Sequence, residues 1–159
     1  MDGTDAEHFS PDVTTTRAMV VTVLWRLENC PEPWQATKFD DVADGLWYSE
    51  AVAWASGNGI VTGYGDGTFG PNDTITREQF AAILWRYDKY RGYDVSAGEA
   101  TSLTGYTDVS SVSAYALSAT RWAVGTGLMQ GTDNRLNPAA NATRAQVAAM
   151  FHRFCEKVQ

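Results

Sequence analysis

One sequence block occurs three times in this chain, and this repetition constrains the fold more than any other feature. The block occupies residues 9–27, 69–87 and 136–154. In each copy an aromatic residue or Leu is followed two positions later by Pro, and five positions after that by Thr-Arg. A repeated unit of this size cannot bury its own apolar face, so neighbouring copies must pack on one another.

Two further blocks precede the second and third copies in the same order. FDDV at residues 39–42 corresponds to YTDV at 106–109, and residues 51–67 correspond to residues 119–134. The first copy lacks both blocks, although MDGT at residues 1–4 aligns with MQGT at 129–132. We therefore expect one domain made of a truncated repeat, 1–30, and two full repeats, 39–92 and 106–159. The truncation indicates a fragment that begins inside a repeat.

Each full copy has the pattern of a helix, a loop and a second helix, which predicts a mainly all-α fold. In the first helix Trp54 and Trp122 share a face with small Ala residues, and Gly59 and Gly127 follow where a left-handed residue ends a helix. The second helix has apolar residues at i, i+3, i+4 and i+7. These are Val20, Val23, Leu24 and Leu27, then Phe80, Ile83, Leu84 and Tyr87, then Val147, Met150, Phe151 and Phe154. Residues 29–38 and 88–105 are expected to be polar connectors.

The start of each second helix carries a capping signal. Thr76 with Gln79, and Thr143 with Gln146, have the spacing of a capping box, in which side chain and backbone cap each other. In the first copy Thr16 keeps the cap, but Met19 replaces the Gln.

An Arg follows the capping Thr in all three copies: Arg17, Arg77 and Arg144. A cation at this end of a helix is opposed by the helix dipole, at a cost of about 0.3–1 kcal/mol. Its threefold recurrence indicates another task. A guanidinium beside free backbone N–H groups would bind a carboxylate or phosphate. The alternative is an internal ion pair with Asp40, Asp41 or Asp108.

Composition excludes several classes of function. The net charge is −7 and the basic residues are scattered, so nothing indicates nucleic-acid binding. The longest apolar stretch, residues 19–24, is too short to span a membrane, and the N-terminus has no signal-peptide pattern. Cys30 and Cys155 are interpreted as incidental thiols, with a disulfide between them as the alternative. With two His, no plausible spacing forms a zinc site, and no EF-hand spacing is present. We expect neither a metal nor another cofactor.

Aromatic and acidic residues near the first helix are the remaining candidates for a site. Trp47, Tyr48 and Tyr115 are interpreted mainly as core residues, with sugar stacking as the alternative role. Asp40, Asp41, Glu50 and Asp108 could suggest glycoside chemistry. However, the third copy has Ala or Ser near the place of Glu50, and no single groove collects two acids. We therefore expect no catalysis.

These motifs closely resemble the S-layer homology repeat. The resemblance rests on F-x-D-V, on G-I-V-x-G-Y-x-D-G-T-F-x-P, and on I-T-R-x-Q-F-A-x-I-L in residues 39–87, and residues 106–154 repeat it with a shorter turn. It implies three repeats in a pseudo-threefold helical bundle. It also implies an extracellular module that anchors proteins non-covalently to secondary cell-wall polysaccharide, which is often pyruvylated. A ketal carboxylate would then be the partner of the Arg.

The resemblance also suggests which residues bind the ligand. The family's T-R-A-E corner corresponds to Thr76, Arg77, Glu78 and Gln79, and the Glu in its fourth position is absent from all three copies. Grooves are expected between neighbouring repeats, one of them left open by the truncation. The expected ligand-binding set is Arg17, Arg77, Arg144, Gln79, Gln146, Thr76, Thr143, Asp41, Asp108 and Trp47. The alternative is a structural module that assembles with copies of itself or with a neighbouring surface-layer protein, without glycan binding.

Overall fold

The computed structural model describes residues 7–157, so the alignment of residues 1–4 with residues 129–132 lies outside the described part. Six α-helices and two 3₁₀ turns make these residues mainly helical, and the all-α expectation is confirmed. The chain divides into two compact units, residues 15–74 and residues 7–14 with 75–157. The unit boundaries fall inside the repeated copies, because the second helix of one copy packs on the first helix of the next.

The unit of residues 15–74 contains α1 (Arg17–Leu27) and α2 (Ser49–Gly57), which pack together. Trp54 of α2 and Val20 and Leu24 of α1 are buried, as their spacing predicts. The expectation for Leu27 is wrong, since its side chain is 44% exposed. Leu27 is the last residue of α1, and the chain leaves the helix there through Asn29 and Cys30, both left-handed.

The second unit contains α3 (Arg77–Tyr90), α4 (Ala97–Ala100), α5 (Leu117–Gly125) and α6 (Arg144–Lys157). The 3₁₀ turns Val109–Ser111 and Ala114–Ala116 precede α5. All the apolar positions expected of the second and third copies are buried, and the ring centroids of Phe80 and Phe151 are 5.0 Å apart.

The connector expected at residues 88–105 is not wholly irregular. α3 continues to Tyr90, and α4 lies within the connector and packs on α5. A Cβ at Gly98 would be 3.0 Å from the backbone N of Trp122, so the absence of a side chain permits this close approach. The polar composition of the connector gave no signal for α4, because so short a helix is stabilised by its contact with α5 and not by its own sequence.

The predicted helix ends are confirmed. Gly59 and Gly127 have φ of +70° and +73°. At the other end, Thr76 and Gln79 form the full capping box, and the same two hydrogen bonds join Thr143 and Gln146. In the first copy only half remains, with the N–H of Met19 donating to Thr16 Oγ1 over 3.3 Å.

The first two N–H groups of each second helix donate to carbonyl groups in the turn of another copy. The N–H of Arg17 donates to Asp73 O, that of Arg77 to Ala140 O and that of Arg144 to Val13 O, at 2.8–3.0 Å. The next N–H groups, of Ala18, Glu78 and Ala145, donate to the carbonyls of Pro71, Pro138 and Pro11. Each copy thus pairs with the following copy and the third with the first, always within one unit. The pseudo-threefold bundle stays a prediction.

Two expectations about the chain's environment concern the cysteines and the membrane. Cys30 and Cys155 are free thiols, as the favoured interpretation of their spacing has it. Within residues 7–157 no helix combines the length and the apolar character that crossing a bilayer requires.

Asp88 gives the stability of the fold a pH dependence that can be measured. Burial raises the pKa of Asp88 to about 6, so between about pH 4 and pH 6 the folded chain binds a proton that the unfolded chain has released. This contribution is present below about pH 4 and is lost as the pH rises through 6. Asp88→Asn should therefore gain stability relative to the wild type over this interval, by roughly 1–3 kcal/mol.

Urea unfolding at pH 4, 5, 6 and 7 measures the difference. Asp94→Asn is the control, because the pKa of Asp94 is lowered by its hydrogen bonds with Ser96 and its effect has the opposite sign. A pH-independent difference between Asp88→Asn and the wild type would contradict the prediction.

Candidate functional site

Arg17 is held in the turn between the first and second copies. Its Nε donates to Phe69 O over 2.8 Å, and its guanidinium carbon lies 4.6 Å and 4.7 Å from the ring centroids of Tyr64 and Phe69. Only 6% of the residue is exposed. The aromatic rings favour the cation electrostatically and restrict its movement.

Arg144 has the same arrangement between the third and first copies. Its Nε donates to Phe9 O over 2.9 Å, and its guanidinium carbon lies 4.9 Å from the centroid of the Phe9 ring. The residue is buried as deeply as Arg17.

Arg77, between the second and third copies, differs from the other two. Its Nε donates to Leu136 O over 2.9 Å and its Nη2 to Gln130 O over 2.8 Å. Leu136 replaces the Phe of the other turns, so no ring stacks on this guanidinium from that position. The side chain is half-buried, and in the described part of the chain its Nη1 has no hydrogen-bond partner. Burial lowers the pKa of Arg77, and the negative charge of Asp108 opposes this effect.

These contacts correct part of the sequence interpretation. The N–H groups at the helix starts are not free, because the neighbouring turn and the capping side chains accept their hydrogen bonds. Within residues 7–157, none of the three helix starts therefore offers a backbone receptor for an anion. The Arg residues also have an internal task, since each Nε joins two copies through a backbone carbonyl. The Nε of each Arg is therefore not available to a ligand.

Asp41 and Asp108 each accept hydrogen bonds from two backbone N–H groups of a turn. Asp41 accepts from the N–H groups of Phe69 and Gly70 over 2.8 and 2.7 Å, and Asp108 accepts in the same way from Leu136 and Asn137. Burial acts to raise the pKa of Asp108, but these two N–H groups and the charge of Arg135 outweigh it, so the pKa lies below its usual value. Each carboxylate thereby positions the carbonyl that the Arg contacts.

The four capping residues of the expected set use part of their polar groups internally. Gln79 and Gln146 accept through Oε1 from the N–H of Thr76 and Thr143, and each Thr Oγ1 accepts from the N–H of its Gln. The amide Nε2 group of each Gln carries two N–H donors that these bonds do not use. Gln146 is exposed and Gln79 is half-buried.

The core interpretation of the aromatic residues is right for Tyr48 and wrong for two others. Tyr48 is 6% exposed, whereas Trp47 is 57% and Tyr115 53% exposed. Trp47 precedes the N-cap of α2 and Tyr115 lies in a 3₁₀ turn, so neither belongs to the apolar face of a helix.

Glu78 was missed as a site residue in the sequence. It is 6% exposed and accepts from Ser113 N–H over 2.9 Å, from Ser113 Oγ over 2.6 Å and from the Tyr115 hydroxyl over 3.3 Å. Glu78 therefore fixes the turn that carries Tyr115 beside the N-terminus of α3. The available signal was that Ala18 and Ala145 occupy its place in the other copies.

A sequence profile of the S-layer homology domain matches residues 38–81 and 105–148. The chain is 33% identical over 99% of its length to an amylopullulanase of Thermoanaerobacterium thermosulfurigenes and 32% identical over 95% to a surface-layer 125 kDa protein of Lysinibacillus sphaericus. It is 27% identical over 94% to a cellulosome-anchoring protein of Acetivibrio thermocellus. The chain spans 8%, 12% and 34% of the lengths of these relatives.

Asp108→Asn tests the role of the carboxylates in the turns. The amide NH₂ would face a backbone N–H, so we expect a loss of about 1.5–3 kcal/mol in the free energy of unfolding at pH 7. Because the pKa of Asp108 is lowered, the loss should shrink as the pH falls below about 4, where the wild type also loses the charged carboxylate.

Asp41→Asn is the matched variant, since Asp41 makes the same pair of bonds but is exposed, and we expect a smaller loss there. Chemical unfolding of both variants at pH 3 and pH 7 makes the comparison. Equal stability of Asp108→Asn and the wild type at pH 7 would rule the role out.

Proposed function

The chain belongs to the S-layer homology domain family, and we propose that it is a non-catalytic module that anchors a protein to secondary cell-wall polysaccharide at a bacterial surface. We further propose that the bound unit of the polymer carries a carboxylate, such as that of a pyruvate ketal.

The range of relatives supports an anchoring role. An amylopullulanase, a surface-layer protein and a cellulosome-anchoring protein share this segment, which is 8–34% of the length of each. The names of two of them refer to a surface layer or to anchoring, and the segment is common to all three. The shared segment is therefore assigned to attachment, and the chemistry of the hydrolase to the part outside it.

The proposed contact with a carboxylate rests on the hydrogen bonds of the Arg77 guanidinium. Its Nε and Nη2 are fixed by two carbonyl groups, while Nη1 has no partner within residues 7–157. A half-buried guanidinium is partly desolvated and pre-oriented, so a carboxylate that reaches Nη1 forms a charge-assisted hydrogen bond without ordering the side chain first.

The surroundings of Arg77 favour an acidic sugar over a small free anion. The amide Nε2 of Gln79 lies on the same first turn of α3, and Glu78 fixes the exposed Tyr115 on the neighbouring turn. The amide group of Gln79 and the aromatic face of Tyr115 can contact the ring of a sugar whose carboxylate meets Arg77. We assign Arg17 and Arg144 a smaller share of binding, because both are nearly buried against aromatic rings.

The carboxylates at the turns and at the start of α3 support a binding role rather than hydrolysis. Asp41 and Asp108 each accept two backbone N–H bonds, and Glu78 accepts three bonds. A general acid in a glycosidase needs a raised pKa, and the pKa of Asp108 is lowered.

Arg77→Gln tests the acid contact. We expect its affinity for purified cell walls that carry the secondary polymer to fall about 10- to 100-fold, the effect of losing a charge-assisted hydrogen bond. Arg121→Gln is the matched control, because it removes the same charge from an exposed position on α5 and should bind like the wild type. Co-sedimentation with the walls gives the affinity, and circular dichroism checks that each variant is folded.

A second arm uses walls from which mild acid has removed the pyruvyl groups. The wild type should lose affinity for these walls, and Arg77→Gln should bind both preparations equally. Wild-type binding that is indifferent to both the variant and the acid treatment would disprove the carboxylate contact. No binding to intact walls would disprove the anchoring function itself.

A further inference from the structure

Arg86 is a second cation of α3 for which the described residues supply no partner. Its side chain is half-buried, and within residues 7–157 its guanidinium forms no hydrogen bond or ion pair. The loss of hydration on burial lowers the pKa of Arg86. An anion that reaches this group would supply the acceptors that the chain itself does not.

The other copies show that this position does not require an unpaired cation. Arg26 and Arg153 occupy it in the first and third copies. Arg153 donates from Nη1 to Leu128 O over 3.3 Å, and Arg26 is exposed. Arg86 therefore differs from Arg153 because it lacks an internal acceptor, and from Arg26 because it is partly withdrawn from water.

The exposed Tyr115 lies beside Arg86. Burial is the main effect on the pKa of Arg86, and an electrostatic interaction with Tyr115 opposes it, which requires the two side chains to be close. The Tyr115 hydroxyl donates to Glu78 Oε1 over 3.3 Å, and 53% of the residue is exposed. An accessible aromatic ring thus stands next to the half-buried cation.

The positions along α3 place Tyr115 between Arg77 and Arg86. Successive residues of an α-helix are rotated by about 100°, so Glu78 points about 100° from Arg77 and, in the same direction, about 80° short of Arg86. Tyr115 contacts Glu78 and therefore has one Arg on either side. The two Arg lie nine positions apart on α3, which is about 13.5 Å along its axis. One carboxylate cannot bridge this distance, so the two cations can meet two separate acidic groups.

Glu78 is not the partner of Arg86. Its Oε2 accepts from the Ser113 N–H, and its Oε1 accepts from the hydroxyl groups of Ser113 and Tyr115, at 2.6–3.3 Å. The carboxylate is thus used to hold the turn that carries Tyr115, and among the described residues it forms no ion pair with Arg86. A guanidinium beside an aromatic ring suits an acidic sugar, because the ring contacts its apolar face and the guanidinium binds its carboxylate.

From this arrangement we propose that Arg86 is a second acid-binding residue. It binds the carboxylate of a further unit of the wall polymer, on the opposite side of Tyr115 from the unit held by Arg77. This inference rests on the proposed function, because it takes the same polymer as its ligand. One polymer strand then places two acidic units along α3, and a fragment with a single unit occupies the Arg77 corner first.

Fragments of the wall polymer test the proposal on the full chain. Oligosaccharides released from purified secondary cell-wall polysaccharide are separated into a fraction with one acidic unit and a fraction with two or more. Isothermal titration measures both affinities, with concentrations counted per unit to remove the statistical advantage of the longer fragments. We expect the wild type to bind the longer fraction at least about tenfold more tightly, because the second contact is made within a complex that already exists.

Three variants assign this gain to Arg86. Arg86→Gln should bind the two fractions equally, with the wild-type affinity for the one-unit fraction. Arg77→Gln should bind both fractions more weakly. Arg121→Gln is the matched control, since it removes the same charge from an exposed position on α5 and should keep the full gain.

A readout on the wild type does not depend on whether Arg86→Gln folds. The Nε–H resonance of Arg86 in the ¹⁵N-labelled chain is assigned from Arg86→Lys. It should shift with the longer fraction at concentrations at which the one-unit fraction leaves it unchanged.

Equal binding of the two fractions by the wild type would overturn the role of Arg86 and leave the Arg77 contact standing. Folded Arg86→Gln that keeps the full gain would do the same, as would a gain that persists after mild acid has removed the pyruvyl groups of the longer fraction. A wild type that binds neither fraction nor intact walls would instead overturn the anchoring function, and the role of Arg86 with it.

Discussion

The structure depends on how the N-termini of the second helices obtain their hydrogen-bond partners. An α-helix leaves its first N–H groups without intrahelical acceptors, and burial makes this costly. Here the carbonyl groups of a turn from another copy accept them, as Pro138 O and Ala140 O do for Glu78 and Arg77. The turn can do so because its own N–H groups are held by a carboxylate, Asp108 in the third copy. No copy could complete its helix alone, so the repeats must assemble.

The position of the Arg residues follows from the same junction. A cation at a helix N-terminus is unfavourable by itself, yet each Nε donates to a carbonyl of the turn that also caps the helix. The guanidinium thus joins two copies before it meets any ligand. What differs among the copies is the residue beneath it: Phe9 and Phe69 stack on their Arg, while Leu136 leaves Arg77 half-buried with Nη1 available. Equivalent positions in a repeat therefore need not be equivalent sites.

The copies also differ at the position of Asp88, which is a buried acid. Its counterparts in the other copies are Glu28 and Cys155, and Asp88 Oδ1 is buried without a hydrogen-bond donor among the described residues. Such an acid destabilises the fold when it is ionised, which is why burial raises its pKa to about 6.

The sequence alone determined the repeat, the helical periods, the Thr caps and the left-handed Gly59 and Gly127, because these depend on residues a few positions apart. The sequence also identified the three Arg positions. It predicted free N–H groups beside them, but these groups have hydrogen-bond acceptors, which come from residues about 55–130 positions away. The sequence also did not predict the contacts of Glu78, the exposure of Trp47, helix α4 or the burial of Asp88. Each is decided by which distant segments meet, and local spacing carries no information about such contacts.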